Sequence, residues 1–425
     1  MIRKIIIAIV CCMAGTIYAQ NGTVSPYSYF GIGDLRSIGS VENQMMGGIS
    51  MYADSIHINL NNPAAYARLR QTTYTASLSR KDINFKGQNL SDNSSVTNLD
   101  YLAIGFPIID DRLGVGFGIK PFTSSGYEIE ESFTSADNGE ITNVFSGDGG
   151  VNSVFFSAGV KVIEDFTVGV TANYYFGVVD SRRVQDVEDV QYGTFDFRNS
   201  RVNGANFKIS ANYTPMLTDK IRMNTYFGVE TQNNLSSENT KTIGSFSSST
   251  GQEIETIEVD LDNAGLANRG VTIPTTTTVG LGFGQDRKWF IGTEYSAQNL
   301  EDYRAPFFTV SNLTYKNASK IAFGGFYIPD YTSFTSYYKR ITYRAGARFE
   351  NTGMVVNNED IKDFGITFGL GLPLNAVNDP FSNINIGFEI GKRGTTNADL
   401  IQENYFKVNL GISLNSKWFR KRTIN

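Results

Sequence analysis

A two-residue alternation of apolar with small or polar side chains constrains this chain more than any other feature. Val168, Val170, Ala172, Tyr174 and Phe176 alternate with Thr167, Gly169, Thr171, Asn173 and Tyr175. A strand turns successive side chains to opposite faces, so each set occupies one face. Phe364, Ile366, Phe368, Leu370 and Leu372 alternate in the same way with Gly365, Thr367, Gly369 and Gly371. Ile384, Ile386, Phe388 and Ile390 oppose Asn385, Gly387 and Glu389, and Phe406–Leu414 oppose Lys407, Asn409, Gly411 and Ser413. A sandwich strand would alternate too. Here, however, glycine dominates the polar face, which suits a wall against which other backbone packs closely.

The connections between strands carry equal weight. Short polar turns fall at Asp110–Arg112, Glu164–Asp165, Leu217–Lys220, Gln285–Lys288, Pro329–Tyr331 and Asn375–Pro380. Longer hydrophilic connections fall near 85–97, 124–150, 182–203, 235–273, 299–317, 351–362 and 393–403. The two kinds strictly alternate, which predicts about fourteen antiparallel strands with both chain ends on the short-turn side. That is the layout of a transmembrane β-barrel of the outer membrane. The expected fold class is therefore all-β, with the barrel spanning 71–416.

The segment ahead of the first strand reads differently. Ser25–Leu69 contains Ser-Pro-Tyr-Ser-Tyr-Phe-Gly-Ile-Gly-Asp-Leu (Ser25–Leu35), Gln44-Met45-Met46-Gly47-Gly48 and Asn61–Ala67, with no sustained period. Pro63 pushes Asn62 towards extended geometry and opens a short helical turn over Ala64–Leu69. A compact, glycine-rich, aromatic segment of this kind predicts a plug within the lumen over 20–70, with Asn62, Pro63 and Ala64 as its exit turn.

Met1–Ala19 has Arg3 and Lys4, an apolar run over Ile5–Ile17 and a cleavage site after Ala19, as a signal peptide does. Both cysteines, Cys11 and Cys12, lie within it, so cleavage leaves a mature chain without thiols. It also leaves 35 Lys and Arg against 42 Asp and Glu, a net charge of -7 that argues against nucleic-acid binding. A basic tail, Lys417–Asn425, follows the last strand.

The strand phase turns Lys120, Lys161, Lys208, Arg222, Glu230, Glu294, Arg344, Arg348, Glu389 and Lys407 into the lumen. Charges there must find partners. Arg222, Glu230, Glu294, Arg344, Arg348 and Glu389 are expected to line the lumen and touch the plug. The inward face reads as glycine and charge, with no long apolar pocket.

Asn62-Pro63-Ala64, behind a glycine-rich segment and ahead of about fourteen strands, resembles the long-chain fatty-acid transporter (FadL-type) family. That resemblance implies an outer-membrane barrel with a lumenal hatch, and passage of hydrophobic small molecules to a lateral opening in the wall. Ser25–Leu35 and Trp418–Arg422 look like the Bacteroidota branch. Some relatives there are barrel subunits of larger machines, including type IX secretion and barrel assembly. The broader family precedent places passage first and an accessory barrel second. The partners implied are outer-membrane lipid, a hydrophobic small-molecule ligand and outer-membrane proteins. No pocket residue is carried over.

No catalytic reading arises, and no cofactor is implied. His57, the only histidine, sits in the plug, where a hydrogen-bonded structural role is expected. With no cysteine in the mature chain, a zinc site lacks ligands. Glu253, Glu255, Glu258, Asp260 and Asp262 alternate along an expected strand extension and lack the spacing of a calcium loop. They read as a solvated outer face.

Overall fold

The computed structural model describes residues 22–36, 39–88, 90–135, 139–374 and 381–416. The leader Met1–Ala19 with both cysteines, the turn Asn375–Pro380 and the tail Lys417–Asn425 lie outside the described residues. Fourteen antiparallel strands close into a barrel. In chain order the first six are β1 (Thr72–Lys86), β2 (Ser91–Ile109), β3 (Leu113–Pro121, resuming as Tyr127–Ser135), β4 (Gly139–Ile163), β5 (Phe166–Val187) and β6 (Tyr192–Tyr213). Next come β7 (Arg222–Glu230, resuming as Asn233–Ser247), β8 (Thr276–Gln285), β9 (Trp289–Gln298) and β10 (Ala318–Tyr327). β11 (Thr342–Val356), β12 (Glu359–Pro373), β13 (Asn383–Arg393) and β14 (Gln402–Ser416) complete the wall. The ring closes where β1 pairs with β14, from Thr72↔Ser416 to Lys86↔Gln402.

The alternation sorts as expected. Thr167, Thr171, Asn173 and Tyr175 are buried inside, whereas Val170, Tyr174 and Phe176 face outward. Phe368 lies opposite Phe388, whose ring stacks on Phe406 at 6.2 Å. No helix among the described residues is long and apolar enough to cross a membrane. The outward apolar band is what a lipid bilayer covers. Phe368→Arg, at 53% exposure in this band, is therefore expected to cost about 2–4 kcal/mol, read from the shift of the folding transition in detergent or lipid. At the next residue a Cβ on Gly369 would enter the Met45 side chain, so substitution there acts on interior packing instead.

Three expectations about the connections change. The connections expected to be long are mostly strand. Only residues 87–90 separate β1 from β2, and β4, β5 and β6 run for 25, 22 and 22 residues. A spanning strand needs about 9–11, so these continue well beyond the bilayer. Outside lipid both faces of a strand can be polar, which made the extensions read as loops. Between β11 and β12 the connection shrinks to Asn357-Asn358, both at positive φ (50° and 66°). Asparagine tolerates that conformation, which a two-residue hairpin turn demands. Conversely, the turn expected at Pro329–Tyr331 runs on to a 3-10 turn over Tyr337–Arg340 before β11 starts.

The wall is also interrupted. β3 breaks between Pro121 and Tyr127, and there Thr123–Ser124 pairs with Asp34–Leu35 of the N-terminal segment. β7 breaks after Glu230. The interior is not only glycine and charge. Ile32, Val151, Tyr175, Val202, Leu235, Leu300 and Tyr303 form an apolar cluster inside, filled by the connection after β9.

Candidate functional site

The chemistry of the molecule is concentrated where residues 22–69 meet the inward face of the wall. Short elements place this segment: a 3-10 turn at Pro26–Tyr29, one helical turn at Val41–Gln44 and a 3-10 helix at Pro63–Arg68. Its apolar residues form the centre of two clusters. Val41, Met45, Ile58, Tyr66 and Leu69 pack on Tyr101 and Phe155, while Met46, Ile49 and Met51 pack on Tyr226, Phe290 and Phe326. The methionines fill irregular gaps against rings, as flexible thioethers do well.

Glycines let backbone meet backbone. A Cβ on Gly324 or Gly346 would fall within 3.0 Å of Met46 or Gly47 main-chain atoms. A Cβ on Gly159 or Gly169 would meet the Pro63 main chain equally closely. Asn62 is extended (φ −130°, ψ 92°) and Pro63 opens the 3-10 helix, as the tripeptide predicts. The Asn62 amide donates to Ser50 O at 3.1 Å and accepts from Ser210 Oγ at 3.0 Å. Ala64 N donates to the same Ser210 Oγ at 2.9 Å.

The predicted charged contacts divide. Glu294 is buried and accepts from Ser50 N at 2.8 Å and Met51 N at 3.1 Å, so it clamps the segment directly. Arg344 acts at one remove: its Nη1 donates to Asn385 Oδ1 at 2.9 Å, and Asn385 Nδ2 donates to Glu42 at 2.7 Å. The other four pair within the wall. Glu230 accepts from Lys208 at 3.5 Å and from Tyr175 and Asn206. Arg348 pairs with Glu389 and, at 3.0 Å, with Asp363. Arg222 sits at the short-turn rim, 3.6 Å from Asp165 and from Asp286. Sequence reasoning assigned these by strand parity, which gives the face of a side chain but not its depth.

Neutral groups, passed over for lacking charge, hold much of the segment. Thr367 Oγ1 accepts from Gly47 N at 2.9 Å and donates to Met45 O at 3.0 Å. Asn212 Nδ2 donates to Met51 O at 2.9 Å. Lys407 donates to Gln44 Oε1 at 3.0 Å, and Arg393–Asp34 (2.8 Å) and Arg36–Asp100 (3.1 Å) are further ties. The available signal was Thr or Asn among inward glycines, as at Thr367 and Asn385.

His57 has the structural role expected of it. Its Nδ1 lies 2.7 Å from Asp54 Oδ2, its Nε2 lies 3.7 Å from Glu42 Oε1, and a 2.9 Å hydrogen bond joins Nε2 to the Asn383 amide. Burial opposes its charge, but the Asp54 and Glu42 carboxylates outweigh burial and raise its pKa above the ordinary imidazole value. Burial opposes the Asp54 charge too, yet His57 holds that carboxyl below its usual range. The docked state thus binds the imidazole proton more tightly than a released segment does. Its contribution is complete below the ordinary imidazole pKa of about 6.5 and is lost as pH rises through the raised value. Asp54 contributes above the usual carboxylate range and loses that contribution on stronger acidification. Protease protection of residues 40–66 should be greater at about pH 5.5 than at about pH 9, and His57→Gln should flatten the difference.

Between the segment and the wall a cavity of about 460 Å³ remains. Its lining carries eight basic and six acidic side chains, among them Lys120, Lys208, Lys320, Glu230, Glu294 and Arg348. Among the described residues no group of His, Cys, Asp and Glu is arranged to hold a metal ion.

A closed fourteen-strand barrel with an apolar outer band and an occupied interior defines an outer-membrane β-barrel. The chain belongs to the BamG family, whose family model matches residues 1–425. Among curated proteins, none matches the sequence. Among solved structures, the Pseudomonas putida toluene transporter TodX is similar at 14% identity and a TM-score of 0.58, covering 91% of this chain and 100% of that one. The CymD monoaromatic hydrocarbon channel is similar at 13% identity and a TM-score of 0.56, with the same coverage. A Pseudomonas aeruginosa FadL homologue is similar at 11% identity and a TM-score of 0.54, covering 92% and 100%. These likenesses establish a FadL-like fold.

Proposed function

We propose that the protein is a plugged, non-enzymatic accessory barrel within an outer-membrane protein complex of the barrel-assembly or secretion kind. The observation that carries this reading is the cavity lining: fourteen charged side chains line the space of about 460 Å³ between the segment and the wall, alongside apolar ones such as Phe30, Phe122 and Leu300. Desolvating charge for an apolar solute is costly, so such a chamber suits water and fixed ion pairs better than a hydrocarbon. In this reading residues 20–70 are the plug, tied to the wall by Glu294, Thr367, Ser210 and Asn212. Residues 1–19 are the signal peptide, cleaved before the chain reaches the outer membrane, and 417–425 a basic tail on the periplasmic side. Some relatives in the branch that Ser25–Leu35 and Trp418–Arg422 resemble are barrel subunits of such machines, which supports this reading.

A second reading, passage of a hydrophobic small molecule, is favoured by a specific feature. β3 is interrupted at 122–126, where the wall folds inward to meet Asp34–Leu35, and the fold is shared with hydrocarbon channels. Extraction of the native protein in gentle detergent separates the two. Stoichiometric recovery with outer-membrane partners and no bound lipid supports the accessory barrel. A lone barrel carrying co-purified lipid or hydrocarbon supports passage and overturns the first reading.

A further inference from the structure

Beyond the bilayer the wall becomes an open sheet whose last strand is Glu253–Glu258. This strand pairs with one neighbour, Asn233–Ser247, in a register running from Thr242↔Glu258 to Phe246↔Glu253, and its other edge is free among the described residues. All six of its residues are exposed. Val259 N donates to Lys241 O at 2.8 Å. In an antiparallel pair, backbone groups alternate in direction. Ile257 and Glu255 therefore turn their N–H and C=O towards the neighbour, and Thr256 and Glu258 turn theirs outward. An unpaired row of this kind is a template for another strand.

The side chains along this edge have no lipid to cover them. On β6 the outward apolar run reaches Phe207, while Ile243 lies opposite Asp196, eleven residues further along. At about 3.3 Å per residue this places the edge on the order of 35 Å beyond the last lipid-facing ring, measured along the strand. Yet Ile254 and Ile257 are 57% and 52% exposed. Charges alone commonly guard an edge, but a guarded edge has no use for exposed isoleucines. The charge is also of one sign. Glu253 pairs with Arg182 at 3.3 Å, whereas Glu255 and Glu258 have no ion partner among the described residues.

We propose that Glu253–Glu258 receives, as an added strand, an extended segment of a partner protein that alternates apolar with lysine or arginine side chains. The free groups of Thr256 and Glu258 supply the ladder; Glu253 and Glu255 on one face select the basic side chains, and Ile254 on the other selects the apolar ones. Backbone bonds give such strand addition its affinity and alternate side chains its specificity. The proposal is independent of whether the lumen conducts, because the edge lies outside the bilayer.

The test uses the full mature chain in detergent micelles and a fluorescent eight-residue peptide alternating lysine and isoleucine, read by anisotropy. The same peptide with glutamate for lysine serves as control. The lysine peptide is expected to bind and the glutamate peptide not. Thr256→Pro removes an outward N–H without touching the existing ladder and is expected to weaken binding at least tenfold. Retained heat-modifiable migration on a gel shows that the barrel is intact. Glu255→Lys should abolish binding while preserving the same migration. Unchanged binding by Thr256→Pro reduces the effect to general charge attraction and overturns the proposal. A dimer of the free protein that Thr256→Pro abolishes assigns the edge to a second copy and overturns it equally.

Discussion

Removing residues 25–66 should turn a barrel that passes almost no current into a conducting pore. The wall does not depend on this segment for closure, because its ring of strand pairs runs unbroken from β1 to β14 and back to β1. What the segment supplies is occupancy. Its backbone touches inward glycines on β4, β5, β10 and β11, and its side chains complete two of the interior apolar clusters. Deleting it leaves a wide, polar lumen lined by Glu294, Thr367, Asn212 and Ser210, which water fills. Single-channel recording in planar bilayers provides the measurement. The expected outcome is rare, small events for the intact chain and large, steady openings for the deletion. An intact chain that already opens widely would rule out the plug.

The second large effect concerns the glycines beneath Met46 and Gly47. Gly324→Val and Gly346→Val would each drive a side chain into main-chain atoms of the segment. Main chain cannot yield as the Met45 thioether can at Gly369. Overpacking of this kind costs roughly 1–3 kcal/mol and more where nothing can shift, and the two together should undock residues 40–66. Limited proteolysis is expected to cut within 40–66 in the variants and to spare the wild type. The barrel itself should keep its heat-modifiable migration, since at both positions the closest approach is to main chain of the segment and not of the wall. Equal protection in variant and wild type would mean that the segment rests elsewhere.

Several features were legible in the residues because they depend on local rules. Period-two alternation separated Val170 and Phe368 from Thr171 and Thr367, since strand geometry alone assigns alternate faces. The Asn62-Pro63-Ala64 turn followed from the restraint proline places on itself and on its predecessor. The membrane barrel and its strand number followed from turns and connections in alternation. Strand ends were harder to locate. Ser91–Ser95 is polar on both faces, so no alternation marks the strand there once it has left the bilayer.

What the residues by themselves determined is the wall: its class, its strand number, the side each residue faces and the existence of a compact segment that does not belong to it. Tertiary structure alone decided which groups meet. Parity placed Arg222, Glu294 and Glu389 alike in the lumen. Only the closed ring set Arg222 at the rim, Glu294 beneath Ser50 and Glu389 beside Arg348. The physical reason is that a strand's own sequence specifies direction, whereas depth and partner depend on contacts between residues hundreds of positions apart. The same holds for the free edge at Glu253–Glu258: its acidic residues are visible in the chain, but that it has one neighbour among the described residues is a property of the sheet.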